Sequence, residues 1–211
     1  MTEKNDTQTA SEASFSVRRV VTGHDKNGKS VVLSDGASPL VFASPMMPGY
    51  ISHDIFRTAE APASIAPQTA ETTAGPRRQL PTPSGTVIRI SQVPPTGEVL
   101  ARMKQAASAA AFKELGNSSG HTGNNASAKN PLMHRTQTID YVVVLSGELT
   151  CVLDDADIVL RAGDVLVQCG TNHAWENRTD TLATVMFVLI DGAYQDSLTE
   201  LLASTAEVKA A

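Results

Sequence analysis

The chain has 211 residues, of which 41% are hydrophobic, and this length suits one folded domain. Its 17 basic and 22 acidic residues give a net charge of −5, which argues against nucleic acid as a partner. Its longest apolar stretches, such as 183–190, fall short of the ~20 residues that a membrane span needs, so no membrane partner is expected. Two cysteines are too few for a disulfide framework, and the polar start of the chain lacks a signal-peptide core. These features predict a cytoplasmic protein.

The first half of the chain is predicted to contain a tail, short strands and a proline-rich segment. Residues 1–15 are polar and are expected to form a disordered tail. Residues 16–58 form β-type runs, and they are expected to add strands to the outside of the main domain or to a partner's sheet. Residues 59–85 contain five prolines and are interpreted as an extended linker or a loop draped over the surface.

The second half is predicted to form the main domain, residues 86–192. A strand at 86–93 precedes a helix at 97–115, for which Thr96 is a candidate cap. From 131 to 192 the sequence alternates short strands with tight turns, which indicates an antiparallel barrel or sandwich. Residues 193–211 are expected to form a second helix, over about 193–207, and a tail. The predicted fold class is therefore all-β, with extra amino-terminal strands and two peripheral helices.

Two histidines and an aspartate are the candidate functional side chains. Residues two apart on a strand share a face, so His134, Thr136 and Asp140 are expected to point the same way. A sheet that folds back after the next turns would bring His173 beside His134. Two imidazoles and a carboxylate are typical of a mononuclear non-haem iron site that keeps open positions for substrate and oxygen. Because six residues of straight strand span about 20 Å, the chain must bend at 136–138 if His134 and Asp140 are to share a metal.

These same residues give the chain a resemblance to the cupin family. The first cupin motif runs from two histidines through a glutamate to a glycine, and its positions are occupied here by His134, Thr136, Asp140 and Gly147. The second motif is matched, with one residue fewer than usual between its glycine and its histidine, by Gly163, Asp164, His173 and Asn177. The resemblance covers residues 131–192, the core of the predicted barrel.

The resemblance implies a jelly-roll barrel and a divalent metal bound by His134, Asp140 and His173. Fe(II) is the first expectation, and Mn, Ni and Zn are the alternatives. Thr136 replaces the second histidine of the motif and is expected to hydrogen-bond substrate, water or Asp140 rather than to bind metal. The chain is also similar to small cupin oxidoreductases of polyketide and aromatic pathways, and its predicted catalytic residues are His134, Thr136, Asp140 and His173.

Three functions stay open from the sequence. The first is a metal-dependent oxidoreductase that acts on a small organic molecule, polyketide-like or aromatic. The second is a lyase (a decarboxylase, dehydratase or cyclase) that uses the same site. The third is a metal-free cupin that binds a small ligand or serves a structural role. A homodimer is expected in each case, because two amphipathic helices and an extended amino-terminal region offer more apolar surface than one barrel covers.

Several other side chains are expected to be structural. His24 and His53 are predicted at the surface. Arg89 lies on the strand face opposite Ile88 and Ile90 and is predicted to be solvated, with pairing to a substrate carboxylate as the alternative. Trp175 is expected in the core, with the wall of the pocket as the alternative. Both cysteines, Cys151 and Cys169, are expected to behave as small buried apolar groups. His121 is assigned to a loop, and a reach to the barrel mouth is the lesser alternative.

Overall fold

The computed structural model of the chain describes residues 15–75, 77–105, 122 and 128–210, without the side chains of 103–105 and 205–210. Most of the predicted tail, the second half of the predicted first helix and His121 lie outside the described residues. The described residues form eleven strands and two helices. The strands are β1 (Arg18–His24), β2 (Ser30–Ala37), β3 (Leu40–Ala43), β4 (Ile51–Thr58), β5 (Thr86–Val93), β6 (Thr138–Ser146), β7 (Glu148–Leu153), β8 (Asp157–Arg161), β9 (Val165–Cys169), β10 (His173–Glu176) and β11 (Ala183–Asp191). The helices are α1 (Gly97–Gln105) and α2 (Asp196–Ala210).

The strands form one large and two small antiparallel sheets. The large sheet has six strands in the order β3-β4-β5-β11-β6-β9. A three-stranded sheet has the order β10-β7-β8, and β1 pairs with β2 alone. The all-β antiparallel fold predicted from the sequence is confirmed, because every pair of neighbouring strands runs antiparallel.

Alternating burial explains why the central strands take these positions. In β5 the even-spaced set Val87, Arg89, Ser91 and Val93 is buried, while the residues between them are only half-buried. In β6 the buried set continues from Thr138 and Asp140 to Val142 and Val144. One face of β5 and of β6 therefore turns inward. The inner face of β6 is polar where the strand begins, which is called the polar end here, and apolar further along.

The inner faces of the two larger sheets share one apolar core. Val142 and Val185 of the large sheet pack in the same cluster as Leu149 and Leu160 of the three-stranded sheet. A second cluster joins Val99 and Leu100 of α1 to Leu132, Met133, Val152 and Ala174. Members of both clusters, among them Leu132 and Val93, also line a cavity between the sheets.

The amino-terminal segments attach to this core in two ways. β3 and β4 extend the large sheet, since β4 pairs with β5 from Ile51↔Gln92 to Thr58↔Thr86. The hairpin of β1 and β2 is held from outside, where Arg19 pairs with Glu71 and donates to the carbonyl of Ile55 at 3.2 Å. Residues 59–85 form no helix or strand over their described part, and they supply Glu71 and the buried Thr73. The predicted domain boundaries stay a prediction.

Over the described residues, one of the two helices differs from its predicted bounds. α1 begins at the predicted residue, but the hydroxyl of Thr96 exchanges hydrogen bonds of 3.1 Å with the main chain of Asn177. α2 begins at Asp196, three residues later than expected. Asn177 is fully buried and donates from Nδ2 to the carbonyls of Val93 and Thr181, so this motif residue ties β5 to the turn before β11.

Two motif glycines offer a matched test of backbone packing. Gly147 and Gly163 have φ of 74° and 94°, a region that costs an L-residue about 1–2 kcal/mol. A Cβ on Gly147 would lie 2.6 Å from the carbonyl oxygen of Leu182, whereas a Cβ on Gly163 would meet nothing within 4 Å. We therefore expect Gly147→Ala to lower the free energy of unfolding more than Gly163→Ala. Equal losses in urea denaturation would contradict the close approach of β6–β7 and β11.

The homodimer stays a prediction, and the outer face of β6 and β9 is where we place it. Tyr141 pairs with Val167 across these strands, and Val165 follows on the edge strand, with exposures of 44%, 55% and 61%. Light scattering at micromolar concentration should give twice the chain mass of 22.3 kDa. Val165→Lys should reduce that mass, because the introduced ammonium group would have to be buried. A monomeric mass for the unaltered protein would rule out the dimer.

Candidate functional site

A cavity of about 130 Å³ lies between the two larger sheets at their polar end. Its apolar wall is formed by side chains from both halves of the chain, namely Met46, Met47, Val93, Leu132, Trp175, Phe187 and Leu189. Its polar groups include all four predicted catalytic residues and two arginines, and they are His134, Thr136, Asp140, His173, Arg77 and Arg89. A mainly apolar cavity with a few convergent polar groups is the usual form of a small-molecule site.

The two predicted histidines meet at the centre of this cavity. His134 and His173 form an isolated antiparallel bridge, with N–H to carbonyl distances of 2.8 and 2.9 Å in the two directions. Their imidazole centroids lie 4.3 Å apart, and the ring planes are tilted by 49°. The sequence predicted this convergence, and the chain achieves it by leaving the strand conformation between His134 and the start of β6 at Thr138.

The protein holds both rings through Nδ1. Nδ1 of His134 lies 2.9 Å from the carbonyl oxygen of Leu132, and Nδ1 of His173 lies 2.9 Å from that of Thr171. The side-chain amide of Gln168 also approaches Nδ1 of His173, at 2.8 Å. Nε2 is therefore the ring atom through which each histidine would act on a ligand.

Burial keeps His173 neutral. Its side chain is 2% exposed, and loss of solvation, followed by repulsion from His134, lowers its pKa to about 3. Trp175 contributes to this burial, because its ring meets His173 edge-on at 5.4 Å and Phe187 at 5.6 Å. A neutral imidazole at physiological pH can accept a proton or a hydrogen bond, or bind a metal.

Asp140 lies in the same cavity in a different environment. Burial raises its pKa to about 6 against a hydrogen bond from Thr138, which lowers it. Its Oδ1 is buried and has no hydrogen-bond partner among the described residues. Thr136 shares a 2.8 Å hydrogen bond with Thr138, and its predicted contact with substrate, water or Asp140 stays a prediction. The two threonines thus link His134's neighbourhood to the carboxyl group.

The predicted metal ligands are only partly assembled. The two imidazoles suit a metal, because an Nδ1 held by a carbonyl is the usual support of a ligating histidine. Within the described ranges, however, no group of three or more His, Cys, Asp or Glu side chains is arranged to hold a metal ion. His134, Asp140 and His173 are therefore not arranged as a complete three-residue ligand set, the two imidazoles alone suit a metal, and the ligand roles stay a prediction.

The comparisons with known proteins agree with the fold and the motif positions. The model of the cupin domain family matches residues 123–190. Phomopsin biosynthesis cluster protein D of Diaporthe leptostromiformis is 31% identical over 180 residues, which cover 82% of this chain and 77% of that protein. The chain belongs to the cupin superfamily.

Two further likenesses are shorter or weaker. A cupin-domain-containing oxidoreductase of Neurospora crassa is 43% identical over 63 residues, 28% of this chain and 32% of that protein. A cupin 2 conserved barrel domain protein of Salinispora arenicola is 13% identical, covers 74% of this chain and 84% of its own, and has a TM-score of 0.34. That score is too low to add to the assignment, which rests on the motifs, the sheets and the longer match.

Two arginines of this cupin's cavity were not predicted as site residues. Arg89 was expected to be solvated, but it is 3% exposed and lines the cavity, because its strand face is the one that packs inward. Arg77 comes from the proline-rich segment, where no periodicity points to a site. The sequence did show that Arg89 lies on the strand face opposite Ile88 and Ile90. The prediction failed because it assigned the Arg89 face, rather than the isoleucine face, to solvent.

Two other expectations, those for His53 and Cys169, are corrected by the observed burial. His53 was expected at the surface but is 2% exposed, with Nε2 3.0 Å from the carbonyl oxygen of Phe15. Trp175 was expected in the core and lines the cavity as well. Cys169 was expected to be buried and is exposed at the end of edge strand β9. His24 is exposed, as predicted. Neither helix, over the part that the structure describes, is long and apolar enough to cross a bilayer.

The cysteines should differ sharply in reactivity. Cys151 is fully buried, and loss of solvation, with a contribution from Asp157, raises its pKa to about 12. Because the thiolate is the reactive form, iodoacetamide should modify Cys169 and leave Cys151 unmodified in the native protein at pH 8. Peptide mass spectrometry checks this, and Cys169→Ser is the control that should abolish native labelling. Equal labelling of both thiols before denaturation would contradict the burial of Cys151.

Proposed function

We propose that this cupin is an enzyme, an oxidoreductase like the relatives that carry that name, which acts on a small organic molecule held in the barrel cavity. The observation that carries the proposal is the His134–His173 pair, whose rings lie 4.3 Å apart in the wall of a mainly apolar cavity. Fixed polar groups in a cavity of low polarity act on a ligand more strongly than the same groups in water. A polyketide-like or aromatic substrate is the finer form of this proposal.

The apolar and the polar residues of the cavity have different roles in this proposal. The apolar wall, including Trp175 and Phe187, excludes water and holds the body of the substrate. His173 is neutral and accepts a hydrogen bond or a proton from a substrate hydroxyl at Nε2. Asp140, with a pKa of about 6, holds or releases a proton near neutral pH, which is the range in which acid–base groups work best.

Metal dependence is a separate part of the proposal. Fe(II) is the first candidate and Mn, Ni and Zn are the others, and a metal bound at the histidines would supply oxygen activation or polarise a substrate oxygen. The support is the fixed Nδ1 atoms of His134 and His173, while the incomplete three-residue set counts against it. Elemental analysis of protein purified without oxygen decides this part. A cytoplasmic location likewise belongs to the proposal and is checked by cell fractionation.

The central prediction concerns both histidines. The assay offers single-ring and short polyketide-like acids, aldehydes and alcohols, and it follows oxygen uptake and product mass. His134→Ala and His173→Ala should each lower turnover by about 100-fold or more, the range expected for loss of a proton-transferring side chain. Product formation without oxygen uptake would favour the lyase alternative at the same site.

A matched substitution controls for the loss of an imidazole. His24 lies on the exposed side of β1, outside the cavity, so His24→Ala should leave turnover unchanged. Thermal unfolding of all three variants separates loss of chemistry from loss of fold. Full turnover in folded His134→Ala or His173→Ala protein would contradict the proposal, and an active protein free of metal would remove only its metal-dependent part.

A further inference from the structure

The wall of the cavity that β4 and β5 support contains a cluster of positive charge. Arg89 and Arg77 both line the cavity, and Arg57 lies behind them on β4. Asp54 is 1% exposed and lies among these side chains. Such a cluster of guanidinium groups away from bulk water is costly unless anionic groups face it.

One carboxylate serves two of these cations. Asp54 accepts from Nε of Arg89 at 2.6 Å and from Nη2 of Arg57 at 2.6 Å. Burial raises the pKa of Asp54, but the hydrogen bonds from Arg89 and Arg57 outweigh burial and hold that pKa below its usual range. The salt bridges of Arg89 and Arg57 therefore both end on Asp54. Arg77 lines the same cavity wall as Arg89, and Asp140, also in the lining, interacts electrostatically with Arg89.

Arg89 is fixed with one edge committed to the protein. Its Nε donates to Asp54, and its Nη2 donates to the carbonyl oxygen of Arg78 at 2.5 Å. Its Nη1 has no hydrogen-bond acceptor among the residues described. A guanidinium held in this way presents its remaining N–H groups in a fixed direction, which suits a planar oxyanion.

Arg77 completes the cationic wall. Its guanidinium lies 4.7 Å from the centroid of the Phe42 ring and donates to Gln79 at 3.1 Å. Burial, followed by repulsion from Arg89, lowers its pKa to about 10. An anion in the cavity would offset both effects, since it would replace lost solvation and screen the two like charges from each other.

The rest of the cavity limits what the anion can be attached to. Its volume of about 130 Å³ is close to that of an engineered cavity of ~150 Å³ that holds benzene. Its other walls are mainly apolar, with Met46, Met47 and Leu132 among them. A free phosphate would leave these walls empty, whereas one ring or a short chain that carries a carboxylate fills both parts.

We propose that Arg77 and Arg89 form a carboxylate site, and that the substrate of this cupin is a small organic acid whose apolar body lies against the histidine end of the cavity. That the bound acid is a substrate rests on the proposed function, but the carboxylate site itself does not depend on turnover. Benzoate and benzamide are suitable probes, because they share shape and differ in charge at pH 7.5.

The test measures the affinities of both probes by ligand-observed NMR. The unaltered protein should bind benzoate at least tenfold more tightly than benzamide. Arg77→Gln should weaken benzoate at least tenfold and change benzamide less than twofold. Arg102 is exposed on α1 and outside the cavity, so Arg102→Gln is the matched control and should change neither affinity. Arg77→Lys keeps the positive charge but loses the planar guanidinium. Its affinity for benzoate should lie between that of the unaltered protein and that of Arg77→Gln.

The outcomes separate this inference from the proposed function. Equal affinities for benzoate and benzamide in the unaltered protein, or no binding of benzoate, would overturn the carboxylate site even if the histidine variants lose turnover. A benzoate preference that Arg77→Gln removes would establish the site even if no turnover is found. His173→Ala should keep the preference. If Arg77→Gln does not fold, two measurements decide instead. They are the ratio of benzoate to benzamide affinity in the unaltered protein and the benzoate affinity of Arg77→Lys, and equal affinities in the first or an unchanged affinity in the second would overturn the site.

Discussion

The pair of main-chain hydrogen bonds between His134 and His173 is the constraint on which the site depends. Each residue donates its N–H to the carbonyl of the other, at 2.8 and 2.9 Å. His173 begins β10 of the three-stranded sheet, while His134 precedes β6 of the large sheet. This bridge therefore joins the two sheets at the polar end of the core, and it brings both imidazoles together without help from side-chain contacts. A side chain placed by the backbone in this way loses little freedom when a ligand arrives.

Burial in one cavity shifts the pKa values of His173 and Asp140 in opposite directions. His173 is enclosed by Trp175 and the backbone of both sheets, so its charged form is disfavoured and its pKa is lowered. Asp140 lies further along β6, where burial disfavours the carboxylate and raises its pKa. Desolvation thus moves the two groups in opposite directions on the pH scale and makes the neutral form of each easier to reach. One cavity of low polarity holds both a neutral base and a carboxyl group that titrates near neutral pH.

Much of the fold was predictable because strand alternation and turn residues are local signals. β5 has the predicted bounds, and the short strands predicted within 131–192 are present as β6 to β11. The approach of His173 to His134 was also predictable, since the spacing of two motifs set it. Arg89 shows where such reasoning fails: alternation separates the two faces of a strand but does not say which face is covered. Arg77 lies in a segment without periodicity, so only the folded chain shows that it reaches the cavity.

The cavity joins two parts of the chain that carry different information. The cupin family match spans residues 123–190 and includes both histidines and Asp140. The cationic wall is formed by Arg77 and Arg89, and Asp54 pairs with Arg89 behind it. All three residues precede that match. Membership of the superfamily therefore bears on the reacting groups and leaves the choice of ligand to the amino-terminal part, where β4 and the proline-rich segment set the charge. Because charge and shape in that wall can change without disturbing the histidine bridge, a cupin barrel can keep its reacting centre while its substrate changes.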